Sequence, residues 1–166
     1  MTKNFSVNSV NSKVEFVISS LTSSNVWSGS DDELCASLTF ATEFSFSKGK
    51  IKTHFPLTDL FGNEFPDAYT AYQFYKFDPS VGQRHILVMK IAKAKFKQYP
   101  WLLVDVKERG GYEWLVECQL TLPDEKDKDM DAYWEGVGLE SPFICCLAEA
   151  YKRLEQELDF NSLLPF

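Results

Sequence analysis

Among its 166 residues the chain has few groups suited to binding a metal or forming a cross-link. It has two histidines, His54 and His85, and four cysteines, Cys35, Cys118, Cys145 and Cys146, with no CxxC spacing, so no set of zinc ligands can be read along it and no cofactor is expected. Cys145 and Cys146 are adjacent in a stretch that reads as helical, where neighbours point in different directions. They read as buried thiols, and that implies a reducing compartment. Long apolar runs are missing as well: Trp101–Val104 and Pro142–Leu147 fall far short of the roughly 18 to 20 residues of a membrane span. Residues Met1–Val17 are polar, with no basic region leading into an apolar core, so no secretory signal is expected and a cytoplasmic location is. Positive charge is scarce: 17 Lys and Arg against 24 Asp and Glu give a net charge of −7. Such a balance argues against extended duplex nucleic-acid binding, which needs a basic surface, while leaving room for a small anion pocket. A Walker A loop, a dinucleotide glycine fingerprint, a nucleophile elbow and HExxH are all absent, which removes the commonest enzyme motifs.

What is present is apolar and aromatic. Hydrophobic residues make up 45 % of the chain and 14 residues are Phe, enough to bury a core without metals or cross-links. Residues 1–24 read as a polar N-terminal extension with a weak strand or helix at Val14–Ile18, and residues 25–166 as one domain. The alternation in LTFATEFSF predicts a half-buried strand over Leu38–Phe46. Asp67 is placed to cap a short helix carrying Ala68, Ala71, Tyr72 and Tyr75 on one face. A longer helix follows from Ser80 to Tyr99, ended by Pro100, and its Lys90, Lys93 and Lys97 form a basic stripe that reads first as a solvated face and second as a polyanion contact. Trp101–Arg109 reads as a helix stopped by Gly110-Gly111, and EWLVECQL (113–120) as a strand. PDEKDKDMD (123–131) reads as a charged surface loop; it lacks the glycine and closing glutamate of an EF-hand. Ser141 as N-cap and Pro142 at the first helical position open a last helix with a stripe of Leu147, Tyr151, Leu154 and Leu158. Together these elements predict an α+β fold, a mainly helical single domain with a small β-sheet.

Acids and aromatics are concentrated in Phe65–Phe77 and in Glu117 together with Asp131-Ala132-Tyr133-Trp134. Aromatic faces beside carboxylates and a lysine suit a nucleoside-type ligand, although buried aromatics are more often core. At these places the chain resembles the NADAR, or YbiA-like, N-glycosidase family. Phe65-Pro66, Gln73, Lys76 and Phe77 match its F/W-P-x-x-E-H-x-x-Q-x-x-K-F helix; Ala94-Lys95-Phe96, Leu115-Val116-Glu117 and Asp131-Ala132-Tyr133-Trp134 match its later motifs in order; and Asn25–Asp32 is similar to its opening strand and turn.

The resemblance implies cleavage of a ribose–nitrogen bond in an ADP-ribosyl or ribosylamino nucleotide. Breaking that bond develops positive charge on the sugar, so a carboxylate must stabilise it or activate water while the leaving nitrogen is protonated. On this basis Glu117 and Asp131 are the candidate catalytic acids. Trp134 is the candidate stacking residue and Lys76 the candidate contact for a phosphate or an acidic partner, with Tyr69 and Asp67 beside the substrate. The departures are specific. The family's Glu-His falls on Tyr69-Thr70, replacing a carboxylate with a phenol of pKa about 10. Glu135 stands where a glycine follows the tryptophan, and Gly138–Phe143 replaces G-x-N-x-L-G. Asp67 or Glu64 is near enough in sequence to substitute for the missing acid. Two readings follow: an active N-glycosidase, or a non-hydrolysing relative that binds or sequesters a nucleotide or ADP-ribose derivative. A protein-interaction module using the 123–131 loop is a third. The oligomeric state is not legible.

Overall fold

A computed structural model describes residues 24–123 and 129–162, with side chains as far as Glu157 in the last helix. The element expected at Val14–Ile18 lies outside these residues. Asp32 opens the first described helix, α1 (Glu33–Leu38), by accepting a hydrogen bond from the Leu34 amide at 3.0 Å. A second short helix, α2 (Thr42–Ser47), follows directly. These two helices stand where the alternation of residues 38–46 predicts a strand. The reason lies in what is buried: Thr42 and Ser45 point inward while Phe44 and Phe46 are 40 % and 37 % exposed, the reverse of the expected amphipathicity. The inward hydroxyl of Ser45 donates to the Ala36 carbonyl at 2.7 Å, so a short polar side chain ties α2 to α1 where a sheet partner was expected.

A two-stranded hairpin pairs β1 (Leu57–Thr58) with β2 (Glu64–Phe65), antiparallel, with Leu57 opposite Phe65. Asp67 then caps α3 (Ala68–Tyr75), accepting from the Thr70 amide at 2.9 Å, as its place in the sequence predicts. Next come α4 (Arg84–Gln98) and α5 (Trp101–Arg109). At the end of α5, Gly110 and Gly111 both have positive φ and return their amides to Lys107 and Val106, the stop that the glycine pair predicts. The strand expected across 113–120 is mostly a helical turn, α6 (Tyr112–Leu115), and only β3 (Gln119–Leu120) is extended. Leu115, which breaks the polar side of the alternation, is fully buried and anchors that turn.

β3 pairs antiparallel with β4 (Gly136–Val137) and is bridged in parallel by Asn25. Gly136 and Gly138 are required here. Both have positive φ, and a Cβ would come within 2.8 Å of the Ser141 amide nitrogen and the Val116 carbonyl oxygen respectively. The last helix, α7 (Pro142–Ser162), starts as predicted: Ser141 Oγ accepts from the Ile144 amide at 3.1 Å and donates to the Trp134 carbonyl at 2.7 Å.

α4 and α7 form the most extensive helix pair. Leu87, Val88, Ile91 and Phe96 of α4 are buried with Ile144, Leu147, Tyr151 and Leu154 of α7. Each such aliphatic side chain contributes about 1.5–3 kcal/mol by leaving water. Phe40 from the α1–α2 turn meets Phe143 edge-on at 5.1 Å, joining the N-terminal helices to this core. The fold is mainly helical α+β with two small antiparallel sheets. No described helix is long and apolar enough to cross a membrane.

Two further expectations change. Cys146 is buried but Cys145 is exposed, because successive helical residues face about 100° apart. Within the charged stretch 123–131, Asp129 and Met130 are buried, at 0 % and 1 % exposure, so that part is not a surface loop. Of the α4 lysines, Lys90 and Lys97 are exposed and Lys93 reaches Glu157 at 3.0 Å, as a solvated face would have it. The lysine that enters the fold is Lys95. Its ammonium donates to the Ser37 carbonyl and, at 2.7 Å, to that of Thr39, pinning the end of α1 to α4. Burial lowers its pKa to about 7, with the charge of Asp67 acting the other way.

Candidate functional site

The site is built around Asp129, a fully buried acid that the sequence hides inside a run of charges. Its carboxylate accepts from the Ser28 amide at 2.6 Å, the Ser28 hydroxyl at 2.8 Å and the Thr39 hydroxyl at 3.2 Å. Three donors from two segments some ninety to a hundred residues upstream therefore converge on one side chain. Burial raises the Asp129 pKa above the ordinary carboxyl value, while the Ser28 bonds, the Lys48 charge and the Thr39 bond oppose that shift. Lys48, just past α2, donates to the Ser28 hydroxyl at 2.6 Å, and its ammonium lies 4.6 Å from the centre of the Trp27 ring. The indole of Trp27 folds back over Gly29, where a Cβ would lie 2.3 Å from a ring carbon. A side chain at position 29 would displace the ring.

Tyr69, in the first turn of α3, is half-buried and its ring is 6.1 Å from that of Phe44. Burial raises its phenol pKa; the charges of Asp131, Asp129 and Asp67 add to this and a hydrogen bond with Gln73 subtracts. Three acids from two chain segments thus act on one phenol, which stays protonated at neutral pH and is a hydrogen-bond donor. Asp131 is exposed. It occupies the N-cap place of the short 3-10 turn Ala132–Trp134, yet its side chain makes no capping bond, so a turn requirement does not account for its carboxylate. Asp67 is 3 % exposed and committed: besides capping α3 it accepts from the Glu43 amide at 3.1 Å.

The six residues singled out in the sequence therefore separate. Tyr69 and Asp67 share the start of α3, and the charge of Asp131 acts on Tyr69. Glu117 is exposed in the turn between α6 and β3 and is not among the acids acting on Tyr69. Lys76, at the end of α3, places its ammonium 5.9 Å from the Tyr72 ring and 5.1 Å from the Phe77 ring. Trp134 is 1 % exposed, packed edge-on against Tyr72 at 6.0 Å and against His85 and Tyr133 at 5.3 Å each. That packing leaves no open indole face for a stacking role. Trp27 is half-buried and precedes the Ser28 that bonds to Asp129, and Trp27, Ser28, Thr39, Lys48 and Asp129 are the residues that sequence reasoning passes over. Asn25–Asp32 does carry a signal, through its likeness to the family's opening turn. Asp129 carries none, because nothing in the charged run sets it apart from Asp127.

Among the described residues no group of three or more His, Cys, Asp or Glu side chains is placed to hold a metal ion. Comparison with protein-family models, curated proteins and solved structures returned no match. What the arrangement offers is a phenol donor, an exposed carboxylate, an ammonium over an indole, and a buried carboxylate held by three donors.

Proposed function

We propose that the chain binds a nucleotide or ADP-ribose-type ligand on the face formed by Trp27, Lys48, Tyr69 and Asp131, as a glycosidase-like protein in which a phenol replaces the family's first-helix carboxylate. The observation that carries this reading is the place of Tyr69. The charges of Asp67, Asp129 and Asp131 act on the residue at the family's acid position, and Asp129 is bonded to Ser28 in the segment similar to the family's opening turn. In this reading the base lies against Trp27 and Phe44, a phosphate meets the Lys48 ammonium, and ribose hydroxyls donate to Asp131 and accept from Tyr69.

Hydrolysis is the second reading, favoured by the exposed and uncapped carboxylate of Asp131. It can activate water or stabilise positive charge on the sugar, while the leaving nitrogen takes a proton from the Tyr69 phenol. Loss of the usual acid removes an interaction worth orders of magnitude in rate but leaves stacking and phosphate contacts in place, which puts binding first.

Calorimetric titration with ADP-ribose, NAD and ribosylated pyrimidines tests the binding reading. Trp27→Ala is expected to weaken the best ligand at least tenfold. Absence of binding by all three, or unchanged binding by the variant, overturns it. Chromatography of the same mixtures for released base tests hydrolysis: Asp131→Asn should abolish any release, and Tyr69→Glu should raise it.

A further inference from the structure

Away from Tyr69, α1, the 51–55 segment and α5 enclose an open cleft of about 500 Å³ that shares no lining residue with the Trp27–Tyr69 face. Its floor is apolar, with Leu34, Ile51, Phe55 and Leu102 all buried. Its rim carries four acids and two bases. One base is already spent: Arg109 makes a two-pronged pair with Asp32, at 2.7 and 3.0 Å, which holds that carboxyl below its usual pKa. The balance on the rim is then Glu33, Asp105 and Glu108, all exposed, against Lys52. None of these three carboxylates has a side-chain hydrogen bond or ion pair among the described residues.

Trp101, Asp105 and Glu108 follow i, i+4, i+7 along α5 and so share one face of it, with Trp101 47 % exposed. Seven residues of helix span about 10 Å, longer than any single cation. An anion is repelled here, and a neutral apolar ligand would strip water from three carboxylates without replacing it. A cation on an apolar stem satisfies the rim, the floor and the indole together.

We infer that this cleft is a docking site for a basic polypeptide segment, which lays arginine or lysine stems on the Leu34–Ile51 floor and sets its cations among Glu33, Asp105, Glu108 and the Trp101 ring. The length of the α5 face calls for more than one positive charge on a continuous chain. The test is fluorescence anisotropy of a labelled hexa-arginine peptide with the intact protein at low salt. The variant Glu33→Gln/Asp105→Asn/Glu108→Gln should lose at least tenfold in affinity and Trp101→Leu at least threefold. The control Glu64→Gln/Glu113→Gln/Glu140→Gln removes the same charge elsewhere and should change affinity less than twofold. Equal loss in both triple variants, no binding by the wild type, or displacement of the peptide by spermine at equal concentration of charge overturns the proposal. If the cleft triple variant does not fold, Asp105→Lys gives the same reading from a single exposed position.

Discussion

The Tyr69 cluster and the Trp101 cleft both set carboxylates beside an aromatic ring, and they differ in what holds the carboxylates. Around Tyr69, Asp129 and Asp67 are buried and accept main-chain hydrogen bonds from distant segments. In the Trp101 cleft, Glu33, Asp105 and Glu108 stand in solvent on the surfaces of helices. An acid of the first kind is part of what closes the fold. One of the second kind can be exchanged with little effect on stability, so a ligand interaction there can be measured alone.

The largest contrast is expected from Asp129→Ala. It removes the acceptor of three bonds and leaves a buried Ser28 amide unsatisfied, a loss on the order of 3 kcal/mol or more in denaturant unfolding. A loss below about 1 kcal/mol would mean that Asp129 does not anchor the first segment.

Two buried groups should give opposite pH slopes. Lys95, with a folded pKa of about 7 and a higher unfolded one, favours the folded state increasingly as pH rises above 7, and this contribution is lost as pH falls back through 7. Melting temperature should therefore gain a rising component between pH 7 and 9, worth up to about 2 kcal/mol, that Lys95→Met removes. Asp129, with its folded pKa raised, contributes stability that is fully present below its unfolded pKa and lost as pH rises through the folded value. Asp129→Asn should remove that falling component. Retention of both slopes in the two variants would assign them to other groups.

Smaller again is Tyr72→Phe. The Tyr72 hydroxyl is buried with no partner among the described residues, so deleting it should stabilise by about 1 kcal/mol. Least of all is Asp105→Asn in the open cleft, which should leave the melting temperature unchanged while weakening the basic peptide. A clear destabilisation there would erase the distinction between the two regions.

Where the sequence was legible, a local device settled the backbone. Asp67 before α3, the glycine pair after α5 and Ser141-Pro142 before α7 each satisfy helix-end amides or carbonyls within a few residues, so short-range chemistry is enough. The 38–46 and 113–120 segments had alternation but no such device. There Ser45 bonding to Ala36 and Leu115 entering the core decided in favour of helix. The candidate site divides the same way. Tyr69 and Asp67 share a helix start, so their nearness follows from one element. Trp134 and Asp131, three residues apart, part company because one packs against Tyr72 and the other faces water.

By itself the sequence determined the class of fold, the longer helices and their caps, and the acidic balance, because each depends on contacts within a turn or two or on composition. Only the tertiary structure decided which acid is buried, which tryptophan is sealed in the core and which lysine enters the interior. Those outcomes depend on segments some sixty to a hundred residues apart reaching the same few ångströms, and no local pattern records where a distant partner will stand.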